Sequence, residues 1–133
     1  MSEHRQPDTP AAWLIRARSD LALARVALAA SDVLLEDVCY HTQQCAEKAI
    51  KALLVQRSLE FPDTHVLETL LDLLKHGGVE IPSLVDEAVE LTQYAVQARY
   101  LGPWEPVTSE EAEFAVRIAA WVLEWVEGQL VGE

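Results

Sequence analysis

The run CYHTQQCAEKAIKALL, residues 39–54, decides how this chain is interpreted. Its second half repeats apolar residues at helical spacing, and alanine and leucine are strong helix formers. Its first half instead carries tyrosine, histidine, threonine and two glutamines. On a helical wheel the inward positions are occupied by Leu35, Cys39, Thr42, Ala46, Ala49, Ile50 and Leu53. The run therefore predicts an amphipathic helix whose core-facing stripe is bordered on both sides by polar side chains.

Two interpretations of these polar borders stay open at this point. In the first, Glu47 with Lys51 and Gln44 with Lys48 are ordinary i, i+4 surface pairs, and His41 is a boundary histidine. In the second, the same side chains line a binding site. For any single residue the spacing favours the first interpretation over a catalytic role.

Composition favours a single helical domain. The chain has 133 residues, half of them hydrophobic and only five of them glycine, which fits one all-α domain with a real core. Its 22 acidic residues outnumber its 10 basic ones and give a net charge of −12. Such a surface repels a phosphate backbone, so we expect no direct nucleic-acid binding and a partner with a basic face instead.

The cysteines and the termini predict a soluble, cytoplasmic protein. Cys39 and Cys45 are six residues apart on one predicted helix and point in different directions, which argues against a disulfide between them. Two cysteines also cannot build a four-cysteine zinc site. No apolar segment is long enough for a membrane span, and none follows the N-terminus. We expect a disordered tail at 1–9 and one domain at 10–130.

Five helices are predicted from periodicity and capping signals. Three signals mark helix starts: Thr9-Pro10, an S-x-x-D pattern at Ser83 and a T-x-x-E capping box at Thr108. Asp63 is the predicted N-cap of the third helix. The predicted bounds are 11–30, 33–59, a short helix from 63 to 76, 83–100, and 108–127.

Broad apolar faces on the fourth and fifth helices predict either central positions in the bundle or a second subunit. The fourth helix has one stripe of Leu84, Ala88, Leu91, Ala95 and Ala98, with a second stripe of Val85, Val89 and Val96 beside it. The fifth has one stripe of Phe114, Ile118, Trp121 and Trp125, widened by Ala115, Ala119, Val122 and Val126. Since four helices of this size enclose few positions completely, a homodimer is favoured.

Three further polar residues suggest an anion site or ordinary helix ends. Arg99 falls beside the inner stripe of the fourth helix, next to Tyr100, so its guanidinium needs an acidic, phosphate or helix-carbonyl partner. His65 lies near the predicted start of the third helix, where anions can bind. The anion interpretation and the ordinary one carry equal weight here.

Several kinds of catalytic or cofactor site are excluded by missing motifs. The sequence has no P-loop, no dinucleotide-binding glycine motif, no H-E-x-x-H, no paired E-x-x-H and no G-x-S-x-G. No metal site is therefore predicted. Cys45 lies one turn from His41, but buried inert thiols are far more common than nucleophiles in that setting.

The order of these features resembles the HEPN family of small helical bundles, in the branch encoded beside minimal nucleotidyltransferases. The resemblance rests on CYHTQQCAEKAIKALL, on the later THVLETLLDLL and on YAVQARY, and it extends over nearly the whole chain. It implies an up-and-down four-helix bundle with an additional short helix. It also implies a homodimer, a nucleotide ligand such as ATP and a nucleotidyltransferase partner in a toxin–antitoxin-like gene pair. The ligand-binding positions that it implies are His41, Gln44, Glu47, Lys48, Lys51, His65, Arg99 and Tyr100.

The chain departs from the ribonuclease members of that family in one respect. Those members use an arginine followed four to six residues later by histidine, and no arginine of this sequence has a histidine in that window. Arg99 could orient a phosphodiester, but the general acid–base is missing.

Three functional hypotheses follow from this combination. The leading one is a non-catalytic dimeric bundle that binds a nucleotide, a nucleotidyltransferase or both. The others are a metal-independent ribonuclease toxin that pairs Arg99 with His41 or His65, and a pure protein-interaction module.

Overall fold

The structure, a computed structural model, describes residues 9–97 and 106–131. All regular secondary structure in these residues is helical, and they contain no strand. The α-helices are α1 (Pro10–Ala29), α2 (Leu35–Gln56), α3 (Leu67–His76), α4 (Ser83–Asp86), α5 (Gln93–Gln97) and α6 (Ser109–Val131), and a 3₁₀ segment, Glu87–Thr92, joins α4 to α5. This confirms the predicted all-α bundle with an additional short helix. The expected tail before Thr9 lies outside the described residues.

Two of the predicted helix starts are confirmed by their capping contacts. The Thr9 hydroxyl accepts a hydrogen bond from the Ala12 amide at 3.1 Å, and Pro10 follows at the first helical position. At α6 the Thr108 amide donates to Glu111 at 2.9 Å, and the Glu111 amide donates back to the Thr108 hydroxyl at 3.1 Å. Both caps satisfy amides that have no partner inside the helix.

The predicted caps of the third and fourth helices are wrong. Asp63 lies outside α3, which begins at Leu67, and the Leu67 amide donates to the Thr92 hydroxyl at 3.1 Å. A residue distant in sequence therefore caps this helix. Ser83 is already the first residue of α4, where Pro82 occupies the cap position and makes no side-chain cap.

The predicted continuous fourth helix is also interrupted. Its middle, Glu87–Thr92, is 3₁₀ and not α-helical. Two residues there, Val89 and Thr92, are β-branched and crowd the preceding turn of an α-helix. The inner stripe is partly confirmed, because Ala88, Leu91 and Ala95 are buried while Leu84 is 49% exposed.

Helix α2 lies at the centre of the bundle. It contacts α1, α3, α5, α6 and the 3₁₀ segment. Helix α1 is antiparallel to it, since Trp13 lies at Lys51 whereas Asp20 lies at His41 and Lys48. The inward residues predicted for α2 are buried, except for the half-buried Leu35.

The buried face of α6 is one part of the broad apolar face that was predicted. Ile118 is buried, but Phe114 is 39% exposed, and Trp121 and Trp125 are half-buried. The neighbouring stripe of small and β-branched residues is the buried one; it comprises Ala115, Ala119, Val122 and Val126. The aromatic rings of α6 are only partly covered within one subunit, and the homodimer stays a prediction.

Two further findings concern the cysteines and the hydropathy of the helices. Both cysteines are buried free thiols. No helix of the described residues is long and apolar enough to cross a membrane.

Candidate functional site

The buried Glu47 carboxylate lies at the centre of the polar residues of α2. Its Oε2 accepts a hydrogen bond from the Lys51 ammonium, one helical turn later, at 2.9 Å. Glu47 is 3% exposed and Lys51 is 2% exposed. A pair this enclosed is held at low dielectric and not in water. The predicted i, i+4 pair therefore exists, but the prediction that it lies on the surface is wrong.

The other oxygen of Glu47 is the meeting point of three more side chains. Its Oε1 accepts from the Gln43 amide at 3.0 Å and lies 2.8 Å from the His65 Nδ1. The Gln44 amide approaches the same oxygen at 3.4 Å and donates to the Gln43 carbonyl oxygen at 2.7 Å. We call these five residues, Gln43, Gln44, Glu47, Lys51 and His65, the Glu47 network.

The network also holds the segment that precedes α3. Besides contacting Glu47, the Gln43 side-chain amide donates to the His65 backbone carbonyl at 3.0 Å. His65 is thus attached through both its ring and its backbone, although its side chain is 43% exposed. The contacts connect α2 to a loop 18–22 residues later in the sequence.

The electrostatics of Glu47 favour the ionised carboxylate. Burial by itself raises the pKa of Glu47, but the ion pair with Lys51 and the hydrogen bonds from His65 and Gln43 outweigh it, so the pKa lies below its usual value. An ionised carboxylate only accepts hydrogen bonds, so the proton in the His65 contact lies on Nδ1.

Aromatic rings enclose the remaining sides of Lys51. Its Nζ lies 5.3 Å from the Trp13 ring centroid on α1 and 5.7 Å from that of Phe61, in the loop before α3. Both distances suit a cation–π contact, and the two rings meet edge to face at 6.4 Å. Phosphate could reach this ammonium only by displacing Glu47 or opening the loop.

A second polar cluster, the Asp20 triad, joins α1 to the other border of α2. Asp20 accepts a hydrogen bond from Lys48 Nζ at 2.7 Å and lies 3.0 Å from the His41 Nδ1. The three side chains are 12%, 24% and 29% exposed, in the order Asp20, Lys48, His41. The triad is a half-buried interhelical pairing that the sequence analysis did not identify.

Both candidate histidines share one arrangement. In each, Nδ1 faces a carboxylate, Asp20 for His41 and Glu47 for His65. This orients the ring and, in the neutral tautomer, leaves Nε2 as the acceptor. Both rings are partly exposed, and the geometry is compatible with proton transfer at Nε2.

The cysteines do not form a nucleophilic centre. Burial raises the pKa of Cys39 and of Cys45 to about 12. Tyr94 makes a hydrogen bond to Cys39, and burial raises the pKa of Tyr94 to about 12 as well. Thiols this far from ionisation are inert at neutral pH.

The structure divides the predicted site residues into three groups. Gln44, Glu47, Lys51 and His65 come together in the Glu47 network, whereas His41 and Lys48 lie in the Asp20 triad. Arg99 and Tyr100 lie outside the described residues.

The sequence analysis missed the partners that complete both clusters. Gln43, Asp20, Trp13 and Phe61 were not among the predicted site residues. A signal existed for Asp20, because it lies two turns from Trp13 on the inward side of α1. Across the described chain no group of three or more histidine, cysteine or acidic residues could hold a metal ion.

Comparisons with known proteins agree with this architecture. The HEPN domain family model matches residues 11–129. A Methanocaldococcus jannaschii protein named "Putative toxin MJ1304" is 30% identical over 129 residues, covering 86% of this chain and 84% of the relative.

Two solved structures are similar over almost their full lengths. The crystal structure of ST0689, described as an archaeal HEPN homologue, gives a TM-score of 0.73 at 29% identity, covering 91% of this chain and 97% of that one. The crystal structure of TT1696 from Thermus thermophilus gives a TM-score of 0.75 at 33% identity, covering 90% and 96%. With the family model matching from α1 to α6, this chain belongs to the HEPN domain family.

Proposed function

We propose that this protein is the non-catalytic HEPN component of a two-gene, toxin–antitoxin-like pair and acts by binding a minimal nucleotidyltransferase. The observation that carries the proposal is the pairing of both α2 lysines with carboxylates, Lys48 with Asp20 and Lys51 with Glu47. The pair of Lys48 with Asp20 connects α2 to α1, and both ion pairs stabilise the bundle. Because both lysines are paired, we expect the functional site to be on the surface of the bundle and not in an open catalytic cleft on α2.

Three further observations support this proposal. Both thiols are buried and have raised pKa values, so they offer no nucleophile. The arginine–histidine spacing of the family's ribonucleases is missing from the sequence. The Methanocaldococcus jannaschii relative carries a toxin name, which fits a component of such a pair.

The homodimer forms part of the same proposal. Leu84 is 49% exposed, and Trp121 and Trp125 line a cavity of about 270 Å³ beside it. Exposed apolar surface of this kind commonly marks an interface. A two-fold contact through this region would cover it on both subunits.

The direct test is complex formation with the nucleotidyltransferase encoded by an adjacent gene. Both proteins are co-expressed, and the complex is measured by light scattering after size-exclusion chromatography. The proposal expects a stable hetero-complex that contains an HEPN dimer. Two proteins that elute separately at micromolar concentration would contradict it.

Nucleotide binding is a separate component of the proposal. Because Lys48 and Lys51 are paired, we expect any phosphate contact to depend on Arg99, with Tyr100 available to stack on a base. Calorimetric titration with ATP then gives heat for wild type and none for Arg99→Ala, while Lys48→Met retains most of the affinity. Absence of heat in the wild-type protein removes the nucleotide from the proposal.

The second candidate is a ribonuclease, and the carboxylate-held His65 favours it. An imidazole oriented through Nδ1 can exchange protons at Nε2, and this ring is 43% exposed. Incubation of labelled RNA with wild type and with His65→Ala tests the idea, with His76→Ala as the matched exposed-histidine control. Cleavage that is lost only in His65→Ala would replace the non-catalytic proposal.

A further inference from the structure

We propose that the outward face of α1 is a docking surface for an acidic amphipathic helix of a partner protein. This inference rests on the proposed function, because it assigns a surface and a chemistry to partner binding. It does not depend on the Glu47 network or on the identity of the partner. We call this surface the α1 face; it comprises Ile15, Arg16, Arg18, Ala22, Leu23, Arg25 and Val26.

The α1 face is apolar along its centre apart from the exposed Ser19. Val26 is 70% exposed, Ile15 is 63% exposed and Leu23 is 48% exposed. Ala22 is exposed between them. Helix α1 therefore carries apolar residues on two faces, because it also buries Trp13 and Leu14 on its inward side. Exposed apolar surface on a helix commonly marks an interface.

Arginines border this apolar stripe on both sides. On a helical wheel Arg18 and Arg25 lie along one border and Arg16 along the other, and all three are exposed. Arg18 pairs with Glu127 at 2.7 Å but remains about half exposed. The only acidic residue of α1, Asp20, faces inward to α2.

The sign of this charge identifies the partner's chemistry. The chain as a whole carries −12, yet α1 holds three of its ten basic residues. Glutamate or aspartate on the partner, placed on both sides of an apolar stripe, would complement the α1 face. A second α1 would instead bring arginines against arginines, which disfavours a two-fold contact through this face.

The shape of the face favours a helix as the occupant. The exposed stripe follows α1 over several turns, and ridges of one helix pack into the grooves of another. An anionic membrane or RNA would meet the same arginines, but RNA would leave the exposed apolar side chains of Ile15 and Val26 uncovered. These two alternatives are outcomes of the test.

The test uses a defined probe and matched variants. A fluorescent helical peptide with a leucine stripe bordered by glutamates is titrated into the full-length protein, and a second peptide carries lysines instead. We expect saturable binding of the glutamate peptide, weakening with added salt. Arg25→Glu and Val26→Glu each weaken it about tenfold or more, an effect of about 1.4 kcal/mol. Arg117→Glu, an exposed arginine on α6, leaves it unchanged.

Several results would overturn the α1 proposal. These are no binding of the glutamate peptide, equal binding of the lysine peptide, or equal weakening by Arg117→Glu. A homodimer in which hydrogen exchange protects α1 would show that a second copy occupies the face. Binding to vesicles containing phosphatidylserine, or to RNA, that Arg25→Glu abolishes would identify a different partner class.

The two proposals can fail independently. Failure of peptide binding leaves the wild-type nucleotidyltransferase complex of the proposed function standing. If the nucleotidyltransferase complex does not form but the glutamate peptide still binds, the nucleotidyltransferase is ruled out as the partner and the α1 docking surface is retained. Both substitutions on the face are at exposed positions, and circular dichroism checks that the variants fold.

Discussion

The ammonium of Lys51 lies 2.9 Å from the carboxylate of Glu47, and both side chains are almost completely buried. The pair sits on the central helix and connects, through His65, to the loop before α3. Breaking a buried pair on one side leaves the other charge without a partner, whereas an exposed pair loses little. The stability of the bundle should therefore depend strongly on this contact.

Removing the buried cation should destabilise the fold. We expect Lys51→Met to lower the free energy of unfolding by about 3–5 kcal/mol, because Glu47 keeps its charge in a buried position. Urea unfolding followed by circular dichroism measures the change. Lys75→Met is the control: Lys75 pairs with Asp86 at 3.3 Å on the surface, and its loss should cost less than about 1 kcal/mol.

The double variant separates an ion pair from a packing effect. If the unpaired charge causes the loss, Glu47→Gln/Lys51→Met should be more stable than Lys51→Met alone. A double variant that is less stable by the sum of both single effects would show that the two side chains act independently.

Acid should weaken the bundle through Glu47. Its folded-state pKa lies below its ordinary value of 4.5, so the unfolded chain takes up the proton first. The stabilisation from Glu47 is fully present above about pH 4.5 and is lost as pH falls through the lower, folded-state pKa. Unfolding free energies of wild type and Glu47→Gln, compared between neutral and acidic pH, measure this. Parallel pH profiles for the two proteins would contradict it.

The two thiols should be unreactive until the protein unfolds. Burial raises the pKa of Cys39 and Cys45 to about 12, so neither supplies a thiolate at neutral pH. Iodoacetamide labelling followed by mass spectrometry should leave both unmodified in native protein and label both in guanidinium chloride. Fast labelling of Cys45 under native conditions would reopen a nucleophilic role beside His41.

Helix caps should differ in importance according to their contacts. Thr108→Ala removes the hydroxyl that accepts a hydrogen bond from the Glu111 amide, one half of the reciprocal cap, and should cost about 1 kcal/mol of unfolding free energy. Ser83→Ala should cost almost nothing, because Ser83 makes no cap in α4. Equal effects of the two substitutions, measured by urea unfolding, would contradict this distinction.

These caps also show which parts of the fold were predictable. The cap at Thr108 depends on residues three apart, so its pattern alone identifies it. The start of α3 was mispredicted at Asp63 because the hydroxyl of Thr92, 25 residues beyond Leu67, caps that helix. Long helices with local signals were predicted, whereas the start of the short helix α3 and the 3₁₀ segment between α4 and α5 were not.

The candidate site was also predictable only where its contacts are local in sequence. The sequence spacing predicted the pairing of Glu47 with Lys51 one helical turn apart, and the structure confirms this contact. It could not reveal that Phe61 folds over Lys51, because that loop has no periodicity. The burial of the pair was missed for that reason.

The central claim is that the polar side chains of α2 hold the bundle together and do not line an open binding site. Its most direct test is the chemical reactivity of the three lysines of the chain. Their side chains are 42%, 24% and 3% exposed for Lys75, Lys48 and Lys51. Acetylation of native protein, followed over time by mass spectrometry, should modify Lys75 first, Lys48 more slowly and Lys51 only on unfolding. Modification of Lys51 as fast as Lys75 would contradict the claim and indicate an open cationic site on α2.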